Sequence, residues 1–169
     1  MKKVLIFVGS LNMNMSLAKK IADQLEAQNI QSEIINLVEL NLPMYDSLKE
    51  EQDGIPQKIM ELCEKMKIVS AYVFVSPEYN FSLTPVLVNT IAWISRSSDN
   101  FRELFTLKTI QLATHSGANG KDTLDGMRTQ LTRLGSIIMP REILTTYENP
   151  LNEDSSSRIL EQFSSLIKE

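Results

Sequence analysis

The side chains able to do chemistry are few, and most lie in three short polar stretches. The first, GSLNMNMS at 9–16, offers Ser10, Asn12, Asn14 and Ser16 and contains no carboxylate. Hydroxyls and amides around the uncompensated backbone N–H groups of a helix start suit a phosphate. The second, SPEYNFSLTP at 76–85, has the proline, asparagine and serine of an ordinary turn. It also carries Tyr79 and Phe81, two aromatic side chains that a surface turn does not need. A planar ligand would use them, with backbone groups held by Pro77 reading its polar rim. The third, THSGANGKD at 114–122, allows close backbone approach at Gly117 and Gly120 and supplies Ser116 and Asn119. His115 is a candidate proton donor by residue type, but a hydrogen-bonded histidine at a strand end is its plainer reading.

What is missing narrows the chemistry. The chain has one cysteine and one histidine, which excludes a disulfide framework and a Cys/His zinc cluster. Cys63 recurs with Ile59, Leu62 and Met66 at helical spacing and reads as a small core residue. The net charge is −4, and Lys and Arg are scattered, so no nucleic-acid surface or polybasic membrane patch is expected. No apolar run approaches the roughly 18 residues of a membrane helix. The start MKKVLIFVGS lacks a signal-peptide core and cleavage site. The expected location is cytoplasmic. The first strand ends without the acidic residues a phospho-receiver would need for magnesium.

These stretches need elements to position them. Strand-like runs at 2–9, 32–37, 70–76, 108–115 and 136–140 alternate with helix-like runs at 16–29, 56–67, 85–95, 123–135 and 155–169. Ser16 is the expected N-cap of the first helix, and Thr84 and Pro85 are the expected start of the third. Segment 38–55 reads as irregular. Strand 70–76 is continuous between its two serines and does not alternate, as in a sheet covered on both faces. The alternation predicts one domain over 1–169, an α/β doubly wound, five-stranded parallel sheet with helices on both faces. Such sheets bind ligands outside the carboxyl ends of the strands at the topological switch point. The three polar stretches fall there, in the loops after strands one, three and four.

The combined pattern resembles the NADPH-dependent FMN reductase family, a flavodoxin-like group that includes quinone, azo-dye and chromate reductases. In that family a strand is followed by S/T-P-E-Y-N-G-S, then Pro-Gly and a helix with Leu, Asn and Trp before Ser-Arg. Pro77, Glu78, Tyr79, Asn80, Ser82, Leu87, Asn89, Trp93, Ser95 and Arg96 fall in register. GSL at 9–11, LPMYD at 42–46 and SGANG at 116–120 match as well. The resemblance implies bound FMN. Ser10, Asn12, Asn14, Ser16 and Leu17 would lie on the phosphate side; Pro77, Glu78, Tyr79, Asn80 and Phe81 would line the ring. Ser116 and Gly117 would meet its other edge. It further implies that NADPH or NADH delivers hydride to the flavin, which passes it to a quinone-like or other small electrophilic acceptor. No catalytic side chain is implied, and a homodimer or homotetramer is. Val86, Leu87, Ile91, Trp93 and Ile94, spread over more than one face of their helix, point to self-association too.

The chain departs from the pattern in places. Asn12 stands where the family has arginine, Ala18 where it has asparagine, Phe81 where it has glycine, and Thr84-Pro85 where it has Pro-Gly. A charge-assisted phosphate contact is worth roughly 1.5–3 kcal/mol, so losing the arginine would weaken FMN by one or two decades. Neutral backbone and hydroxyl donors still suffice in flavodoxins. A ring at Phe81 would narrow the space open to a nicotinamide. Two other readings share the fold: a flavodoxin-like electron carrier, and a flavin-free binding or regulatory module.

Overall fold

In the computed structural model, which describes residues 2–167, strands and helices alternate along the chain as the pattern predicts. The strands are β1 (Lys3–Val8), β2 (Gln31–Asn36), β3 (Ala71–Val75), β4 (Thr109–Ser116), β5 (Ile137–Ile138) and β6 (Ile143–Thr146). The helices are α1 (Met13–Ala27), α2 (Ser47–Asp53), α3 (Gln57–Lys67), α4 (Pro85–Ile94), α5 (Lys121–Arg133) and α6 (Glu153–Leu166). The order across the sheet is β2-β1-β3-β4-β5, with β6 also on β4, and every pairing is parallel. The chain therefore switches direction across the sheet between β1 and β3, where a doubly wound fold opens its ligand crevice.

Side-chain alternation sorts the core into two layers. Val4, Ile6 and Val8 of β1 pack with Leu17, Ile21 and Leu25 of α1 and Leu160 and Phe163 of α6. Leu5 and Phe7 face the other way, toward Ile59 of α3, Leu87 and Trp93 of α4 and Leu124 and Met127 of α5. Phe7 stacks on Phe74 at 4.7 Å and meets Tyr72 edge-on at 5.4 Å. The Tyr72 hydroxyl, buried with its pKa pushed up by desolvation, donates to the Leu104 carbonyl at 2.6 Å. Cys63 lies in this second layer, and burial raises its thiol pKa, so it is a packing residue and a poor nucleophile.

Four local expectations change. Helix α1 begins a turn before Ser16: the Ser16 N–H already donates to the Asn12 carbonyl at 3.1 Å, and Ser16 is exposed within the first turns. Segment 38–55 contains α2, a polar helix without a buried residue, so it has no apolar periodicity to reveal it. Asp46 caps it by accepting from the Lys49 N–H at 2.8 Å, and Gly54 at φ +74° ends it. The fifth strand is split: β5 pairs with the start of β4 and β6 with its end, because the chain detours through Pro140 between them. Helix α6 starts at Glu153, where Asn152 accepts from the Ser155 N–H at 2.9 Å; the expected end at 168–169 lies outside the described residues.

The apolar surplus of α4 is absorbed within the molecule. Leu87, Ile91, Trp93 and Ile94 are buried, and Trp93 donates its indole N–H to the Pro43 carbonyl at 2.8 Å. Asn89 accepts from the Tyr45 N–H at 2.8 Å and donates to Pro43, while Arg96 holds Glu50 of α2 through its Nε at 2.9 Å. Residues 42–50 thus cover these positions, and what α4 leaves to a second copy is the exposed Val88, with Met44 and Leu48 exposed on the covering segment.

Candidate functional site

The loops after β1, β3 and β4 converge at the switch point because a glycine lets two of them touch. A Cβ on Gly9 would lie 2.8 Å from Ser76 Oγ and 2.9 Å from Thr84 Oγ1. Those two hydroxyls bond each other at 3.1 Å and close the base of the 76–84 loop. Thr84 therefore stands at the N-cap of α4 with its side chain committed elsewhere, and Pro85 supplies the preset φ of the first helical residue.

The loop after β1 leaves its backbone donors open. Within the described residues no acceptor meets the N–H groups of Leu11 to Met15, and Asn12 makes no side-chain cap. Asn12 and Ser16 are exposed, and the Ser10 hydroxyl, in a residue only 8% exposed, has no hydrogen-bond partner among the described residues. A cluster of unpaired N–H groups at the positive end of a fifteen-residue helix, with no carboxylate in the loop, is an anion site by its own chemistry. Asn14 is the exception. It is 3% exposed and forms a reciprocal pair with the His115 backbone, donating to its carbonyl at 2.9 Å and accepting from its N–H at 2.8 Å. Its amide bolts α1 to the end of β4 and is not free for a phosphate. Leu17 is buried on the inner face of the same helix.

The loop after β3 is braced as firmly. Glu78 sends its carboxylate to α5, accepting from the Gly120 N–H at 3.3 Å and the Thr123 N–H at 3.2 Å. Thr123 returns a hydroxyl bond to the Pro77 carbonyl at 3.3 Å. What residues 77 and 78 offer a ligand is then backbone and the wall of Pro77. Beyond them the chain makes a tight turn in which Tyr79 and Ser82 exchange both backbone bonds at 3.1 Å. Its tip is Asn80 (φ +49°) and Phe81 (φ +61°). Tyr79 is half exposed, and Phe81 is 77% exposed.

In the loop after β4, Ser116 is buried and its Oγ accepts from the Ala118 N–H at 3.3 Å. Gly117 is exposed, with open space where a Cβ would point. His115 is the hydrogen-bonded strand-end histidine of the plainer reading: its Nδ1 lies 3.0 Å from Thr145 Oγ1, and its ring meets Tyr147 edge-on at 4.9 Å. Its Nε2 is buried and unpartnered among the described residues. The ring lines a cavity of about 170 Å³ shared with Met13, Ser16, Lys20 and Tyr147. The β6 residues Thr145 and Thr146 and the following Tyr147 carried no sequence signal, because ILTT shows neither alternation nor a turn boundary. A larger depression of about 740 Å³ runs along α1 and the free edge of β2, away from these loops and without aromatic side chains. Among the described residues no group of three or more His, Cys, Asp and Glu could hold a metal.

Residues 2–149 match the family model of the NADPH-dependent FMN reductases. The chain belongs to the NADPH-dependent FMN reductase family. It is similar to the quinone reductase of Escherichia coli K12, 36% identical over 59 residues, which is 35% of this chain and 31% of that protein. It is also similar to a probable NADPH:quinone oxidoreductase of rice, 28% identical over 78 residues, 46% of this chain and 38% of that one. The aligned parts thus span about a third of the first curated relatives' length. Among solved structures, the fold matches the FerB flavoenzyme NAD(P)H:(acceptor) oxidoreductase of Paracoccus denitrificans. That match has a TM-score of 0.76 and 17% identity over 98% of this chain and 95% of that one. An oxidoreductase of Corynebacterium diphtheriae matches at 0.80, with 16% identity over 99% and 97% of the two chains. These likenesses establish a flavodoxin-like fold.

The residues present fit the family's FMN. The open N–H groups of 11–15 match a phosphate, and the neighbouring loops offer a turn with two exposed aromatic side chains and a glycine with free space.

Proposed function

We propose that the chain is an FMN-dependent NAD(P)H oxidoreductase acting on quinone-like or other small electrophilic acceptors. The observation that carries this reading is the row of unpaired backbone amides at Leu11 to Met15, placed at the switch point of a family-matched sheet. FMN, when bound, supplies the hydride-accepting and hydride-donating chemistry. The protein's part is to bind, orient and exclude water.

In this reading the amides of 11–15, with the side chains of Ser10, Asn12 and Ser16, hold the phosphate, and Leu17 seats their helix against the sheet. Pro77, Tyr79, Asn80 and Phe81 border the ring on one side, and Gly117 with the backbone of Ser116 on the other. Asn14 and Glu78 act one step back: they fix the three loops to one another, so that the cleft is formed before the ligand arrives. No side-chain acid or base is assigned, in keeping with the cofactor-borne chemistry.

The same reading places a single reductase domain over 1–169, in the cytoplasm where NAD(P)H is supplied. It associates as a homodimer or homotetramer through the exposed apolar side chains Met44, Leu48 and Val88 on and beside α4. Among the described residues no helix is long and apolar enough to cross a membrane. A monomer by light scattering at micromolar concentration would sink the assembly.

Titration of FMN into stripped protein, followed by anaerobic NADPH or NADH, tests the activity. The expected result is tight binding and loss of the flavin's visible absorbance. Binding without bleaching by either nucleotide would make the chain an electron carrier. No binding would make it a flavin-free module on the same fold.

A further inference from the structure

The turn at 79–82 is built on a residue poorly suited to it. A two-residue hairpin turn with positive φ at both central positions favours Asn-Gly, because only glycine adopts the second conformation without a Cβ penalty. Asn80 meets the first requirement; Phe81 at φ +61° violates the second. The violation returns nothing to the fold. The Phe81 ring is 77% exposed, belongs to neither core layer and makes no ring contact with the described residues. A strained backbone carrying an unburied aromatic side chain is the kind of outlier that marks a functional constraint. The tip is also well presented, since Glu78 and Thr123 anchor the chain just before it to α5.

We infer that Phe81 is a specificity-determining residue: its ring is the stacking wall for a planar aromatic acceptor of the quinone class at the mouth of the cleft. This rests on the oxidoreductase reading above. A ligand fits better than a second copy of the chain, because the ring stands between exposed polar residues, Asn80 and Ser82, and is not part of a broad apolar patch. A lone ring beside the half-exposed Tyr79 suits a flat molecule that arrives and leaves.

The test compares Phe81→Gly, Phe81→Leu and Phe81→Tyr in the full chain. Three readouts are used: calorimetric binding of a naphthoquinone to the FMN-loaded protein, the ratio of kcat/KM for naphthoquinone to that for ferricyanide, and the Tm. Glycine and leucine should weaken quinone binding and lower the ratio by about three- to tenfold, with the loss in KM, and tyrosine should retain both. Glycine should also raise the Tm by about 1–4 °C as the turn relaxes. Unchanged quinone binding in all three variants would overturn the inference. So would full retention by leucine, which would mean bulk and not stacking, or a shift of Phe81→Gly from dimer to monomer, which would assign the ring to a second copy. A wild-type chain that binds no FMN sinks the oxidoreductase reading instead, and quinone calorimetry on the flavin-free variants then decides Phe81 separately.

Discussion

Replacing Asn14 by alanine separates two roles that its position in the first loop would otherwise confound. If its amide touched a phosphate, the substitution would weaken FMN and leave the flavin-free protein as stable as before. The geometry assigns it to the His115 backbone instead, through bonds of 2.9 and 2.8 Å in a residue 3% exposed. Alanine removes both partners at once and leaves a buried N–H and a buried carbonyl unpaired. Each orphaned group costs about 1–3 kcal/mol, less what a water admitted from the neighbouring cavity restores, so about 2–3 kcal/mol is expected in all. For a chain of this size that lowers the Tm by about 4–12 °C. Differential scanning calorimetry on flavin-free Asn14→Ala and wild-type protein, with urea midpoints as a second measure, reads it directly. An unchanged Tm paired with a tenfold weaker FMN would refute the reasoning and return Asn14 to the phosphate.

Other perturbations probe neighbouring contacts. Glu78→Ala removes the acceptor for two N–H groups at the α5 start and should cost about 1–2 kcal/mol, seen as a lower urea midpoint, and weaken FMN as the two loops part. Trp93→Phe loses the indole bond to Pro43 and should make 44–54 the first site of limited proteolysis, with a stability loss of about 1–2 kcal/mol. Glu33, held by Lys65 and Lys3 at 2.6 and 2.9 Å, has its carboxyl pKa lowered chiefly by the Lys65 bond. A depressed folded pKa means its stabilisation is complete above the unfolded value and lost as pH falls through the folded one. The stability gap between wild type and Glu33→Gln, read from urea midpoints, should therefore be small at neutral pH, under about 1 kcal/mol, and vanish in acid.

The architecture was legible because apolar runs of the right length alternate along the chain, and continuous burial of β3 is what its unbroken apolar sequence implies, whereas β4 is equally buried despite Gln111, Thr114 and His115. Short or polar elements escaped. Helix α2 buries nothing, and β6 is four residues long, so neither leaves a periodic trace. The three loops were legible as a place, since topology alone puts them at the switch point. The duties of residues within them were not. Asn14 and His115 are 101 residues apart, and Glu78 and Gly120 are 42, so only the folded chain shows that these polar side chains face protein. The family motif has a similar lesson. Asn89, Trp93 and Arg96 match the pattern, yet they hold residues 43–50 in place, which makes them markers of architecture.

The divided fifth strand gives the sheet an uneven resistance to opening. The base of β4 is secured by β5 and continues into a central β1–β3–β4 slab through Ala113, whereas its last three residues lie beyond β3 and are held by β6, a strand paired among the described residues to β4 alone, and by the Asn14 amide on His115. Residues 114–116 and 143–146 therefore form a unit that can unzip at lower free energy than the slab, and among the strands the amide hydrogens there should exchange first. That unit ends in the Ser116–Gly117 loop. A ligand seated against it closes the least secure corner of the sheet, so much of its binding energy would be felt as local order at that edge, and much less as added stability in the centre.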